Sequence, residues 1–145
     1  SSNEWECAAR WRGTDTTNVV TATVGDIDFN AMADKWTKGN SASGDTQAYN
    51  ATTPTVGDYA VYQVNSGTST AVVKSKTEGY NTLGLYDMSG NVWEWCYDLN
   101  IGSTRLLRSG SWDYAEAYLQ IGRLEDYDPN SEYYDLGFRI AKSAQ

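Results

Sequence analysis

Apolar and polar positions follow two different periods along this chain, and over much of its length neither. Near the start, residues 4–12 place Trp5, Ala8 and Ala9 on one side, the spacing of the tail of an amphipathic helix, with Gly13 following as a stop signal. From Thr14 to Thr82 the chain is polar and rich in Thr, Ser, Asn and Gly, with weak helical periodicity. That composition predicts a long, mostly irregular stretch carrying short strands. One strand candidate lies at residues 58–64, where Ala60, Tyr62 and Val64 alternate with Tyr59, Val61 and Gln63. Residues 92–97 and 105–109 read as core strands, and 137–142 as a closing strand. Between the last two, the interior of residues 111–135 keeps neither period. There is no internal repeat and no heptad pattern. An irregular stretch of this length normally counts against a compact domain.

The 145 residues make one domain, large enough to bury roughly 68–70% of its unfolded surface. Eleven basic against nineteen acidic residues give a net charge of −8, which argues against nucleic acid and anionic membranes as partners. No apolar run is long enough to span a bilayer as a helix. No signal peptide is visible, and an opening at Ser1-Ser2-Asn3 is compatible with a mature, trimmed or cut chain. Six tryptophans and eleven tyrosines are many for this length, and such rings can hold a loop-rich fold together by burying large areas.

Two cysteines, Cys7 and Cys96, are too few for a disulfide scaffold. The favoured expectation is two buried thiols, with a bridge between them left open. The chain has no histidine, which removes Ser-His-Asp, Cys-His and HExxH chemistry together. An Asn50-Ala51-Thr52 triplet fits a glycosylation acceptor, though such triplets arise by chance.

The segment Gly84-Leu-Tyr-Asp-Met-Ser-Gly-Asn-Val-Trp-Glu-Trp-Cys96 resembles the signature of the formylglycine-generating enzyme (sulfatase-modifying factor) family. Three further stretches agree in order: Glu4-Trp-Glu-Cys-Ala-Ala-Arg10, Leu107-Arg-Ser-Gly-Ser-Trp112 and Leu136-Gly-Phe-Arg-Ile-Ala141. The resemblance implies an α+β, C-type lectin-like fold in its formylglycine-generating-enzyme variant, loop-rich with short antiparallel strands. In such domains loops form much of the body. It also implies that residues 1–145 are the C-terminal part of a single domain whose N-terminal half is a separate segment, a second polypeptide piece that packs against this one.

The family commonly holds calcium at the turn around Asp87. Carried over position by position, the ligands would be the side chains of Asp87 and Glu94 and the carbonyls of Gly90 and Val92, a donor set that suits a hard cation. The alternative is that Asp87 and Glu94 cap the turn by accepting backbone N–H groups. The enzymes of the family use two copper-binding cysteines a few residues beyond the element matched by Gly110-Ser111-Trp112. Here those positions fall on Tyr114 and Leu119, so no copper and no catalysis of that kind are expected. A related branch depends on histidine ligands, which this chain lacks.

Residues 113–135 hold five tyrosines (Tyr114, Tyr118, Tyr127, Tyr133, Tyr134), seven acids and one basic residue, Arg123. Tyrosine suits a recognition surface, being wide, stiff and able to donate or accept at its tip. Exposed tyrosines in an ordinary loop are the plainer reading. Among proteins with this fold, the variable proteins of diversity-generating retroelements, a spirochaete surface protein among them, concentrate their mutated residues in this last segment. Randomising the first two bases of an AAY codon yields Tyr, Asp and Ser, which fits Asp113, Tyr114, Tyr118, Asp126, Tyr127, Asp128, Ser131, Tyr133, Tyr134 and Asp135. Glu116, Glu125 and Glu132 need another starting codon.

The resulting expectation is a non-catalytic, receptor-like protein that binds a protein or glycan ligand through these thirteen residues, is secreted or displayed at the cell surface, and is in some cases lipid-anchored through a part outside this chain. Trp93, Trp95, Trp112 and Phe138 would fix the backbone, and Ile121 and Arg123 would face inward. A structural module derived from the family is the second expectation, a copper-dependent oxidase the third.

Overall fold

The computed structural model describes residues 1–21, 23–24, 27–47 and 55–142. The Asn50-Ala51-Thr52 triplet lies outside the described residues. Helix α1, Ser2–Arg10, begins with a capping box: the Ser1 hydroxyl accepts the Glu4 N–H, and the Glu4 carboxylate accepts from the Ser1 amino group. Its buried positions are Ser2, Trp5 and Ala9, one stripe at helical spacing. The helix ends two residues before the expected limit, at an extended Trp11. Trp11–Gly13 forms strand β1 and pairs antiparallel with β4, Lys35–Trp36. Gly13 is therefore no helix stop. It takes a positive φ of 57° within β1, where its missing side chain leaves room for the Trp11 ring.

Strands β2, Thr23–Val24, and β3, Ile27–Asp28, form a small hairpin-like pair. Residues 58–64 are not a strand. Val56–Asp58 is a 3₁₀ turn, and the consecutive Ala60, Val61 and Tyr62 are all buried, so both parities point inward. Backbone bonds from Tyr59 and Ala60 back to the Val56 carbonyl hold that turn.

The body of the domain is a four-stranded sheet in the order β7-β6-β5-β8, with β5 Trp93–Leu99, β6 Arg105–Arg108, β7 Glu125–Tyr127 and β8 Leu136–Gly137. The β5–β6 and β6–β7 pairs are antiparallel, whereas β8 lies parallel to β5 through Trp93↔Leu136 and Glu94↔Gly137. One pair thus departs from the expected all-antiparallel pattern, and the closing strand is only two residues long. Beyond it the chain leaves the sheet: Phe138 is 74% and Ile140 85% exposed, so Phe138 braces nothing here.

Two clusters fill the interior. Trp5, Ala9, Met88, Cys96 and Ile121 pack between α1 and the sheet, and Ala42, Val56, Ala60, Tyr62 and Leu119 pack among the loops. Arg108, 1% exposed, ties the first cluster together. Its guanidinium donates to Ser2 Oγ (2.9 Å), the Ile121 and Arg123 carbonyls (3.0 and 3.3 Å) and Glu6 Oε2 (2.6 Å). The two thiols are unpaired, and only Cys96 is buried; Cys7 is exposed, because it lies off the Ser2–Trp5–Ala9 stripe.

A groove of about 670 Å³ runs between α1, β5 and residues 139–142, with Trp5, Leu85, Met88, Trp95, Tyr97 and Ile140 among its walls beside Glu4, Glu94, Arg139 and Lys142. Tyr97 is 84% exposed. No helix among the described residues is long and apolar enough to cross a membrane.

Candidate functional site: a tyrosine-walled cavity

The expected ligand-binding segment is pinned at both ends. Gly110 adopts φ +73°, and a Cβ there would come within 2.7 Å of the Tyr118 carbonyl, so the chain can turn this tightly only with glycine. The next residue, Ser111, is fully buried and donates its hydroxyl to Asp135 Oδ2 at 2.8 Å. The Asp135 carbonyl in turn accepts the Trp93 N–H at 2.8 Å. These bonds place the first and last residues of the segment side by side at the start of β5.

On that base the rings assemble. Trp93, 1% exposed, meets Tyr114 edge-on at 5.4 Å and Tyr118 at 6.4 Å, and Tyr114 and Tyr118 stand 4.9 Å apart. Tyr127, carried by β7, packs edge-on against Tyr133 at 5.4 Å. Tyr134 lies against Trp112, also at 5.4 Å, and donates its hydroxyl to Asp113 Oδ2 at 2.9 Å. Edge-to-face pairs at these separations are the arrangement that the ring quadrupoles favour. Together Tyr114, Tyr127, Tyr133 and Tyr134 wall a cavity of about 240 Å³, with Trp93 and Leu136 completing the lining beside Asp113 and Asp135.

None of the five tyrosines is buried. Tyr133 and Tyr134 are 53% and 70% exposed, and the other three are half-buried. The Tyr114 phenol is pushed well above its ordinary value, first by its hydrogen bond with Tyr127 and then by burial. The Tyr134 phenol is raised by its bond to Asp113 and by that carboxylate's charge. Both rings accordingly stay neutral donors across the physiological range.

Six of the thirteen expected residues meet at the cavity: Asp113, Tyr114, Tyr127, Tyr133, Tyr134 and Asp135. Asp135, however, is 7% exposed and held by Ser111, so it belongs to the cavity's base and not to an open surface. Tyr118 stands behind Tyr114. Glu116 lies in the 3₁₀ turn Glu116–Tyr118, and Glu125 is paired with Arg123. Asp126, Asp128 and Glu132 are exposed nearby, and Ser131 is half-buried, its N–H bonded to the Asp128 carbonyl. Arg123 does not face inward: it is exposed, drawn out by Glu125 and by the Tyr118 ring, 4.5 Å from its guanidinium. Ile121 does face inward, at 1% exposed. Two further residues line the cavity: Trp93, expected only as framework, and Leu136, expected only as part of a stretch matching the family.

Of the two positions where the resemblance puts catalytic cysteines, Tyr114 walls the cavity and Leu119 is fully buried in the second core cluster. Neither cysteine of the chain lines the cavity. Cys96 sits in the other cluster, where burial pushes its thiol up to about 11.

The turn expected to hold calcium is tied by hydrogen bonds. Both Glu94 oxygens are engaged: Oε2 by Trp5 Nε1 (2.7 Å) and Arg139 Nε (3.0 Å), Oε1 by Arg139 Nη2 (2.7 Å). The same Nη2 donates to the Tyr86 and Asp87 carbonyls. Asp87 Oδ2 accepts the Lys74 N–H, and the Gly90 carbonyl accepts the Ser109 hydroxyl. Among the described residues no three His, Cys, Asp or Glu side chains gather as a metal site. In this arrangement the residues do not fit calcium. A guanidinium holds the turn, and an ion would have to displace Arg139 from Glu94.

Residues 1–144 match the model of the sulfatase-modifying factor enzyme 1-like domain, and the chain belongs to that family. It is 33% identical over 96 residues to the formylglycine-generating enzyme of Streptomyces coelicolor, a match covering 52% of this chain and 30% of the enzyme. Among solved structures it is similar to Treponema denticola variable protein 1, a diversity-generating-retroelement variable protein, at 30% identity and a TM-score of 0.64, over 95% of this chain and 44% of that one. PvdO from Pseudomonas aeruginosa shares the fold, with a TM-score of 0.54 at 17% identity over 95% of this chain and 49% of PvdO. The expected fold is therefore the observed one: a small α+β, C-type lectin-like domain of the formylglycine-generating-enzyme variety. The chain spans less than half the length of each of these relatives.

Proposed function

We propose that this is a non-catalytic module of the family that binds a ligand, receptor-like, at the tyrosine-walled cavity and its rim. One observation carries the reading: Tyr133 and Tyr134 stand exposed over a base pinned by Ser111–Asp135 and Trp93, so recognition side chains and framework are separate. Large stiff rings on a rigid base lose little entropy on binding. The likeness to a variable protein supports the same reading. A catalytic role is disfavoured because the positions matched to the enzymes' cysteines hold Tyr114 and Leu119. Copper-dependent oxidation of a cysteine peptide by the purified chain would reverse this. Secretion or surface display is the setting that fits such a module.

Tyr133→Ala and Tyr134→Ala are each expected to change unfolding free energy by no more than about 0.5 kcal/mol, yet the double variant should lose binding to every ligand the parent finds on an array of purified surface proteins and glycans. Equal binding by parent and double variant would remove the proposal. In the coding DNA, a near-copy of the 3′ end differing mainly at adenines, beside a reverse transcriptase gene, is expected if the segment is diversified.

A second reading, a structural module, is favoured by the exposed apolar face at Tyr97, Phe138 and Ile140. On this reading the face and its groove take the N-terminal half of the domain, as relatives of twice this length would supply. A hydrophobic dye is expected to bind the isolated chain. Binding should fall to background when that half is supplied in the same reading frame or as a separate chain. Unchanged dye binding would count against it.

A further inference from the structure

We propose that the tyrosine-walled cavity is a cation subsite, taking the ammonium or guanidinium head of one lysine or arginine side chain presented by a protein ligand. This rests on the reading of the segment as a binding site and names the chemistry that enters it.

The size of the cavity points to a single side chain. Its volume of about 240 Å³ falls below the range of roughly 300–1,000 Å³ usual for a site that engulfs a small molecule. One long side chain inserted from a larger surface suits it better. The walls then choose the charge. Tyr114, Tyr127, Tyr133 and Tyr134 present π systems whose faces are negative, and a cation near such faces is attracted by the quadrupole. Two carboxylates share the lining. Asp113 accepts the Tyr134 hydroxyl on Oδ2, and Asp135 accepts the Ser111 hydroxyl on Oδ2. Among the described residues no donor reaches the second oxygen of either.

Among the described residues no lysine or arginine lines the cavity to balance those charges. The basic residue of the segment, Arg123, lies on the outer side of the ring cluster, over Tyr118 at 4.5 Å and paired with Glu125. The outer side of the cluster thus already holds a guanidinium, and the inner side holds none. Three of the four phenol hydroxyls are engaged already, those of Tyr114 and Tyr127 with each other at 3.5 Å and that of Tyr134 with Asp113. An anionic head would meet two carboxylates and be repelled. An uncharged alkyl chain would strip water from Asp113 and Asp135 and give them no donor in return. A cation replaces that water with charge-assisted hydrogen bonds. Outside the cavity, the exposed Asp126, Asp128 and Glu132 extend the negative field and would speed the approach of a basic surface.

The test uses the whole chain and four fluorescent peptides, identical except for one central residue: lysine, arginine, norleucine or glutamate. Anisotropy titrations at low salt are run beside a glycan array. The lysine and arginine peptides are expected to bind at least about tenfold more tightly than the norleucine peptide, and the glutamate peptide not at all. Asp113→Asn and Tyr133→Ala should each weaken the lysine peptide by about 5–30-fold, and by clearly more than they weaken the norleucine peptide. Raising salt should weaken the lysine and arginine peptides selectively. Norleucine or glutamate binding as tightly as lysine, or binding of glycans alone, would overturn the cation assignment while leaving a ligand-binding site, provided Tyr133→Ala abolished it. Failure of every peptide and glycan to bind would overturn both readings.

Discussion

Replacing Arg108 with alanine is expected to lower the free energy of unfolding by about 3–5 kcal/mol, the range seen when one partner of a buried ion pair is removed. The guanidinium is almost entirely enclosed and donates to four protein groups on two parts of the chain: Ser2 and Glu6 on α1, and the Ile121 and Arg123 carbonyls ahead of β7. Truncation leaves two carbonyls and the Glu6 carboxylate short of a donor while opening a void beside Trp5. Arg108→Lys keeps the charge but loses the planar fork, so a smaller loss of about 1–3 kcal/mol is expected. The comparison that isolates the effect is Arg123→Ala. Its pair with Glu125 is partly exposed, and such pairs contribute about 0–1 kcal/mol. Urea unfolding with an unchanged m-value gives all three numbers. If Arg108→Ala shifts the midpoint no more than Arg123→Ala does, the network described for Arg108 contributes little. Because the tethered carbonyls precede β7, which carries Tyr127, Arg108→Ala should also weaken whatever binds at the cavity, from a distance and without touching it.

Arg108 also illustrates what the sequence disclosed and what it concealed. Its strand was legible, since residues 105–109 read as β6 from apolar content alone. Nothing in a linear pattern says that an arginine in that strand turns inward, because the groups that justify it lie more than 100 residues away at Ser2 and Glu6. The same limit explains the misread segment at residues 58–64. Alternation there suggested a strand, but a turn that wraps through the core buries Ala60, Val61 and Tyr62 in succession. At the other end, the apolar Phe138 and Ile140 gave strand-like periodicity to residues that leave the sheet after Gly137. Both are exposed, so apolar character alone does not place a side chain in the core.

The candidate site was legible as a region and much less so as a geometry. Tyrosine density marked residues 113–135, and the absence of a helix or strand period fitted side chains held by loops. Which of them converge depends on the Ser111–Asp135 bond and on the parallel docking of Leu136 against Trp93. Neither contact leaves a local sequence signal. Asp135 therefore looked like one more surface acid and is in fact the clasp of the loop. Arg123 looked like an anchor, as a lone base among acids, and instead lies outside because Glu125 and Tyr118 satisfy it there. The turn at Asp87–Glu94 presents the same difficulty. Its oxygen-rich pattern suits calcium, while the guanidinium that holds it comes from Arg139, 45 residues beyond Glu94.

Gly90→Ala is expected to be the most costly single-methyl change in the chain, at about 2–5 kcal/mol. Two contributions combine. The left-handed backbone, φ +81°, costs an alanine about 1–2 kcal/mol, and forcing a methyl group into filled space costs about 1–3 kcal/mol more. The second contribution is large here because the obstacle cannot move. A Cβ on Gly90 would lie 2.3 Å from the Val61 carbonyl oxygen, which already accepts the Asn91 N–H at 2.8 Å. Gly90 itself donates to the Ser109 carbonyl (2.7 Å) and accepts the Ser109 hydroxyl (3.0 Å). Displacement in any direction therefore breaks backbone bonds to the Val61 loop or to Ser109 at the end of β6. Gly84 and Gly102 supply the control: each has φ +74° but open space where the Cβ would go, so alanine at either should cost only the conformational part, about 1–2 kcal/mol. The difference between these variants and Gly90→Ala, measured by urea or thermal unfolding, reports the close approach itself. A cost at Gly90 equal to that at Gly102 would mean the Val61 carbonyl does not stand against Gly90. Trp93, the base of the tyrosine cavity, starts β5 three residues later, so the variant that distorts this turn should also lose the site.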